Sequence, residues 1–204
     1  MRRCHILVEN IHSGVIPSII LVVLLLILVM IRNKRKRDSS CQIVTILKSQ
    51  IHAEIKDFII PDGIGGLLEV EHLMLIDQGL LLIETCPMGG NLFGAEKIDQ
   101  WTQIIHGRSF KFANPLRHIR TSRQAIKVLA PKIPVFCRVI FTTDAIFPKG
   151  KPDEVSILDS LAEDMQLINA EPVIIDKAHK YWDRIMRIAR KDGQAVKRGT
   201  GVDG

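Results

Sequence analysis

Four features are missing from this 204-residue chain, and each absence narrows the possibilities. No charged residue occurs in residues 14–31, GVIPSIILVVLLLILVMI. No acidic residue occurs between Asp99 and Asp144. Cys4, Cys41, Cys86 and Cys137 are scattered, with no C-x-x-C pair and none of the spacings of a structural metal site. No internal repeat or low-complexity tract is present, so the length allows one domain plus extras.

The charge-free run accounts for most of the 47% hydrophobic content. As a helix it measures roughly 27 Å, about the thickness of a hydrocarbon core. A cleaved signal peptide would end in small residues of A-x-A type, and a soluble core helix is rarely apolar on every face. This run ends instead in RNKRKR, which reads as a stop-transfer flank. Positive residues stay on the cytoplasmic side. Arg32, Lys34, Arg35, Lys36 and Arg37 outweigh Arg2 and Arg3 with Glu9. The expectation is a single-pass membrane protein with its N-terminus out and its main domain in the cytoplasm. The expected divisions are a short extracytoplasmic N-terminus (1–13), a transmembrane helix (14–31), a basic linker (32–39), an α/β domain (40–190) and a disordered tail (191–204). In that topology Cys41, Cys86 and Cys137 are free thiols in a reducing compartment.

The formal charge of +6 does not point to a polyanionic partner. The basic flank supplies +5 and the first residues +1, so residues 38–204 are neutral overall. What survives is a local excess, with Arg108, Lys111, Arg117, Arg120, Arg123, Lys127, Lys132 and Arg138 in the acid-free interval. A phosphate-binding surface and a solvated basic helix face both account for it.

Asp38, Ser39 and Ser40 offer N-caps for a helix carrying Ile43, Ile46, Leu47, Ile51 and Ile55 on one face. IKDFII (55–60) reads as a strand stopped by PDGIGG, and EVEHLMLI and LLLIET read as a hairpin turning at Asp77-Gln78-Gly79. That hairpin is apolar enough to lie at a sheet centre, covered on both sides. Residues 87–113 read as loop, with a short helix around 98–104. Asn114-Pro115 opens a helix to about Leu129. PVFCRVIFTT (134–143) is a further strand, FPKGKP a loop, and 155–167 and 176–189 helices around a short strand at 173–175. Helix, three strands, helix, strand is the order of a mixed α/β sheet with helices on its faces.

Glu71 and Glu84 stand out as a pair. Glu71 begins one strand of the hairpin and Glu84 ends the other, so pairing about the turn brings both to one end of the sheet. With the Thr85 carbonyl they form an oxygen-rich site suited to Mg²⁺ or Mn²⁺, able to polarise a phosphodiester and activate water. Two strand-end carboxylates in water fit the same spacing. Trp101, Phe110 and Phe112 alternate with Arg108 and Lys111, as base-stacking residues or as hydrophobic anchors of a loop. His72 reads as a packed ring with a satisfied partner.

Residues 60–152 resemble the nuclease-related domain (NERD) family, a branch of the restriction-endonuclease-like PD-(D/E)xK nucleases. The resemblance is carried by EVEHLML, the Gly79 hairpin with IET, GGNLFGA, Trp101, NPL at 114–116, and FPKGKP. It implies a restriction-endonuclease-like mixed sheet flanked by helices and a metal-dependent phosphodiesterase ancestry. The family's acidic residue and Glu-x-Lys map to Glu71 and to Glu84-Thr85-Cys86, so Glu71, Glu84 and Cys86 are the candidate catalytic residues. Glu71, Glu84 and Thr85 are the metal ligands, with Mg²⁺ or Mn²⁺ as cofactor. Arg108, Lys111, Arg117, Arg120 and Arg123 are the residues for nucleic acid. The chain departs from the pattern at Glu71 (usually Asp), at Cys86 (usually Lys), and at His118, where glutamine often follows the Asn-Pro start. No glycine-glutamate pair appears near residues 40–42. A thiol supplies no fixed positive charge near neutral pH, and losing such stabilisation costs roughly two to three orders of magnitude in rate. Lys97, Lys111 and Arg117 are candidate substitutes for the lysine. The readings are a weakened nuclease, a pseudo-nuclease that binds nucleic acid or protein at the membrane, and a tethered domain whose basic surface meets anionic lipid.

Overall fold

The computed structural model describes residues 19–31, 38, 40–142 and 144–191, and the chain divides into two units, Met1–Gln42 and Ile43–Gly204. In the first unit, residues 19–31, 38 and 40–42 are helical, and the apolar side chains of 19–31 are exposed throughout. Among the described residues no helix is long and apolar enough to cross a membrane. Residues 1–13, the first part of the expected span (14–18), the basic flank 32–37 and the tail 192–204 lie outside the described residues. Asp38 and Ser40 are helical, not caps, and Ser39 lies outside the described residues.

In the second unit, helical residues 43–47 (α1) precede a long strand, Ile51–Pro61 (β1). The helix expected through Ile55 therefore ends early. Positions 51 and 55 are four apart, which satisfies a helical and an alternating period equally. Tertiary pairing decides: Ile55 faces Leu73 on the next strand. That strand is Leu67–Ile76 (β2), and it turns through Asp77-Gln78 into Gly79–Cys86 (β3). Gly79 has φ +141°, and a Cβ there would lie 2.5 Å from the Pro134 carbonyl oxygen, which accepts a hydrogen bond from Leu80 N–H.

Residues 87–113 correct the loop expectation. They hold three strands, Gly90–Phe93 (β4), Gln100–Ile105 (β5) and Arg108–Ala113 (β6). Helix Pro115–Leu129 (α2) follows as expected, and then Val135–Phe141 (β7) and Ala145–Ile146 (β8). The helix expected over 155–167 is instead strand Val155–Ile157 (β9), a 3₁₀ turn Leu158–Ser160, and two short helices, Leu161–Asp164 (α3) and Gln166–Asn169 (α4). Val155 is drawn into the sheet opposite Val139. No strand forms at 173–175, where Ile174 N–H bonds the Asp77 carbonyl and Ile175–Ile188 (α5) begins. Arg190–Lys191 (β10) pairs with β1, placing Lys191 in a strand and not in the tail.

The larger sheet has the order β10-β1-β2-β3-β7-β9, antiparallel around β2 and parallel from β3 through β9. The smaller one runs β6-β5-β4-β8. Leu80, Leu82, Val139 and Phe141 pack on one face of the larger sheet with residues of α2, α5 and Trp101. Leu81, Ile83, Met74 and Ile140 pack on the other with Ile43, Leu47, Leu161 and Met165. The central hairpin is therefore covered on both faces, as its unbroken apolar run implied.

Two family-like motifs have structural roles. A Cβ at Gly94 would lie 2.1 Å from the Trp101 ring, so GGNLFGA leaves room for a fully buried tryptophan stacked on Phe141 at 6.2 Å. Asn114 caps α2 through Oδ1, which accepts from Leu116 N–H at 2.9 Å. Its Nδ2 donates to Ile98, Glu96 and Ala95 carbonyls.

Gly79→Ala is expected to destabilise the domain by about 2–4 kcal/mol, since it combines a strained φ with a clash against backbone. Denaturant unfolding checks it. His72 is 3% exposed, and burial is the main reason its pKa falls to about 4, with Nε2 bonded to Glu54 Oε2 at 2.9 Å. The unfolded chain binds this proton below about 6.5 and the native chain only below about 4, so stability is full above 6.5 and falls as pH drops toward 4. The expected slope is at most about 1.4 kcal/mol per pH unit. His72→Gln should flatten that part of a stability-against-pH curve.

Candidate functional site

The β2–β3 ladder ends at His72↔Ile83, and Glu71 and Glu84 are the next residues beyond it on the two strands. Glu71 is not at the start of β2 as expected. Leu67 to Val70 continue beyond it, paired with Phe58 to Pro61 of β1. The rung is irregular: Asp57, between Lys56↔His72 and Phe58↔Val70, has φ +48°. Across it the alternation changes phase, since Ala53 and Ile55 pack on the same core as Phe58 and Ile60. Such an irregularity re-aims side chains, and here it occurs where Glu71 leaves the apolar sheet.

Glu71 is held by its neighbour across the hairpin. Thr85 donates its N–H to Glu71 Oε2 at 2.9 Å and its Oγ1–H to Oε1 at 2.5 Å. The carboxylate thereby satisfies a backbone donor that lies past the last rung of the ladder. Thr85 meets the acidic pair as a donor through N–H and hydroxyl, whereas the sequence reading assigned it a metal-binding carbonyl.

Glu84 alternates with Leu80 and Leu82, which places it on the face covered by α2. His118, one turn into α2, lies with Nδ1 3.0 Å from Glu84 Oε2. His118 stands out in the sequence only as a departure from the family pattern and is not among the candidate site residues named there. The available signal was its position three residues past the Pro115 helix start, near the sheet-facing Leu116 and Ile119.

Cys86 shares the face of Glu84 and packs against the same core. Burial is the first cause, and the charges of Glu84 and then Glu71 add to it, so the thiol is pushed up to about 12; a backbone hydrogen bond at Met88 opposes this. Both carboxylates thus act on one neutral thiol where the family pattern has a cation.

Magnesium-type ions take one or two carboxylates and retain water. The two glutamates are of the right kind, but each holds a protein donor. Among the described residues no three His, Cys, Asp or Glu side chains are grouped to hold a metal ion.

The α2 arginines expected to hold nucleic acid are engaged elsewhere. Arg117 pairs with Asp99. Arg120 reaches Glu154 at 2.6 Å and Glu96 at 3.4 Å, and Arg123 reaches Glu154 at 2.9 Å. Partial burial works against the Arg120 charge, but the bonds to Glu154 and Glu96 outweigh it and hold the proton more firmly than usual. Arg138 is buried and donates to the Asp153 and Asp164 carbonyls. Lys151 of FPKGKP bonds both Asp164 oxygens at 2.7 Å. Arg108, Lys111 and Lys97 are exposed. Of the aromatics, Trp101 is core, Phe112 packs edge-on against it at 6.1 Å, and Phe110 is open.

These environments set the order of thiol reactivity. Cys137, like Cys86, is pushed up to about 12, chiefly by burial, whereas Cys41 is exposed. Under native conditions near pH 8, iodoacetamide should label Cys41 at least tenfold faster than Cys86 or Cys137, because the thiolate is the reacting form. Site-resolved mass spectrometry checks it.

A curated relative, an uncharacterized protein of Bacillus anthracis, is 29% identical over 73 residues, which is 34% of this chain and 34% of that protein. The match therefore spans about a third of that relative's length. No solved structure matches. The nuclease-related domain matches residues 39–142, an interval that contains α1, the whole acidic rim, the Gly94–Trp101 packing, α2 and β7. With half the chain matched and its motifs placed in one fold, the chain belongs to the nuclease-related domain (NERD) family.

Proposed function

We propose that this chain is a membrane-anchored, nuclease-related module that binds nucleic acid without hydrolysing it. The observation that carries this reading is Cys86. A half-buried thiol pushed up to about 12 stands where a nuclease of this family uses lysine. A neutral group there stabilises neither an attacking hydroxide nor the charge that develops on a phosphodiester. The anchor is residues 14–31, supported by their lack of charge and by the basic flank, which faces anionic headgroups in the cytoplasmic leaflet.

A second reading is metal-dependent phosphodiester hydrolysis with Mg²⁺ or Mn²⁺ on Glu71, Glu84 and the Thr85 carbonyl. It is favoured by one observation, the register that makes Glu71 and Glu84 the next residues beyond the β2–β3 ladder. In it the Thr85 and His118 hydrogen bonds would orient the two carboxylates from behind.

Incubating the full chain in detergent with plasmid and single-stranded substrates, in Mg²⁺ or Mn²⁺ over a range of salt, separates the two. The expected result is no cleavage above background and nucleic-acid binding that survives EDTA. Cys86→Lys should raise metal-dependent cleavage by about 10²–10³ over the native background if the cysteine is the main lesion. Native cleavage that is lost both in EDTA and in Glu84→Ala would establish the hydrolase instead.

A further inference from the structure

The α2 arginines are taken up by ion pairs, which leaves the cations of β6. This strand is the outermost of the smaller sheet and pairs only with β5. Directly opposed residues of an antiparallel pair share a face, so Trp101–Phe112, Gln103–Phe110 and Ile105–Arg108 are successive steps along one surface. The first step is core, with Trp101 fully buried. At the second, Gln103 Nε2 donates to the Gly89 carbonyl at 2.6 Å, in the loop that leaves Glu84-Thr85-Cys86. The third is open, with Ile105 and Arg108 both exposed. Phe110 is 47% exposed on the face of Arg108, whereas Lys111, opposite Thr102, is exposed on the other face of the strand. Among the described residues neither Arg108 nor Lys111 makes an ion pair.

Cations on an edge strand also deter unwanted strand pairing, but that role does not call for an exposed aromatic on the face of Arg108. We infer that this ledge binds single-stranded nucleic acid, with a base stacked on Phe110 and a neighbouring phosphate on Arg108. Charge complementarity favours a polyanion, because the acid-free interval between Asp99 and Asp144 contains the whole of β6. An aromatic face is sequence-tolerant and needs an unpaired base, which favours a single strand over a duplex. The inference rests on the nucleic-acid-binding reading above and names its substrate class and surface.

The test is fluorescence anisotropy with the full chain in detergent and EDTA. The probes are labelled oligo-dT of about 20 nucleotides, its duplex with oligo-dA, and a poly-glutamate competitor, a length ample for one binding site. Phe110→Ala should weaken oligo-dT binding about tenfold or more, and Phe110→Trp should retain it. Arg108→Ala should reduce the slope of log Kd against log salt by about 0.7. Lys180→Ala, an equal charge loss at an exposed site on α5, should change neither. Circular dichroism confirms that each variant is folded. Absence of oligo-dT binding, insensitivity to Phe110→Ala, equal sensitivity with the duplex, or equal competition by poly-glutamate would each overturn the inference. Cleavage by the native chain in Mg²⁺ would overturn the non-hydrolytic reading and leave the β6 surface standing. Binding that ignores the β6 variants would do the reverse.

Discussion

The pairing of β3 with β2 on one side and β7 on the other fixes where Glu84, Thr85 and Cys86 leave the core. Leu80, Leu81, Leu82 and Ile83 are almost completely buried, and each such side chain contributes about 1.5–3 kcal/mol of apolar burial. A one-residue slip would move Leu80 and Leu82 to the face now held by Leu81 and Ile83, and would carry Glu84 and Cys86 away from α2. Gly79 pins that register from the turn, by its close approach to Pro134. The rim chemistry thus depends on a strand whose own residues are nearly all apolar.

At the rim, the substitutions in this chain act together. The family pattern would place an amine beside two carboxylates. Here the position holds a thiol that burial and two negative charges keep protonated, and an imidazole nitrogen hydrogen-bonds the second carboxylate. Thr85 holds the first with two donors. The result is a rim in which Thr85 and His118 each hydrogen-bond one of the two carboxylates. The basic excess of the middle segment has also been turned inward on α2. Glu154 takes Arg120 and Arg123 together, whereas Arg108 and Lys111 of β6 face water.

Much of the fold was legible because local and tertiary preferences agree. The hairpin, the Asn-Pro start of α2 and the strand over Val135–Phe141 follow from turn chemistry, capping and unbroken apolar runs. The errors came where one pattern served two structures. Ile51 and Ile55 fit a helix face as well as an alternating strand, and Val155 became a strand only because β7 offered a parallel partner. Residues 100–113 lack a strong apolar run because most of β6 is exposed, so nothing local marked that hairpin as sheet.

The sequence by itself determined the charge-free segment and its basic flank, the acidic pair on one hairpin, and the cysteine in place of lysine. Those are properties of residue type and spacing, which need no neighbours to be read. Tertiary structure alone decided which charges are available. Glu154 lies more than thirty residues from the arginines it neutralises, and His118 reaches Glu84 only because α2 packs on β3. Ion pairs of that range are set by chain packing, since Coulomb attraction acts through space and carries no mark in the linear order of residues.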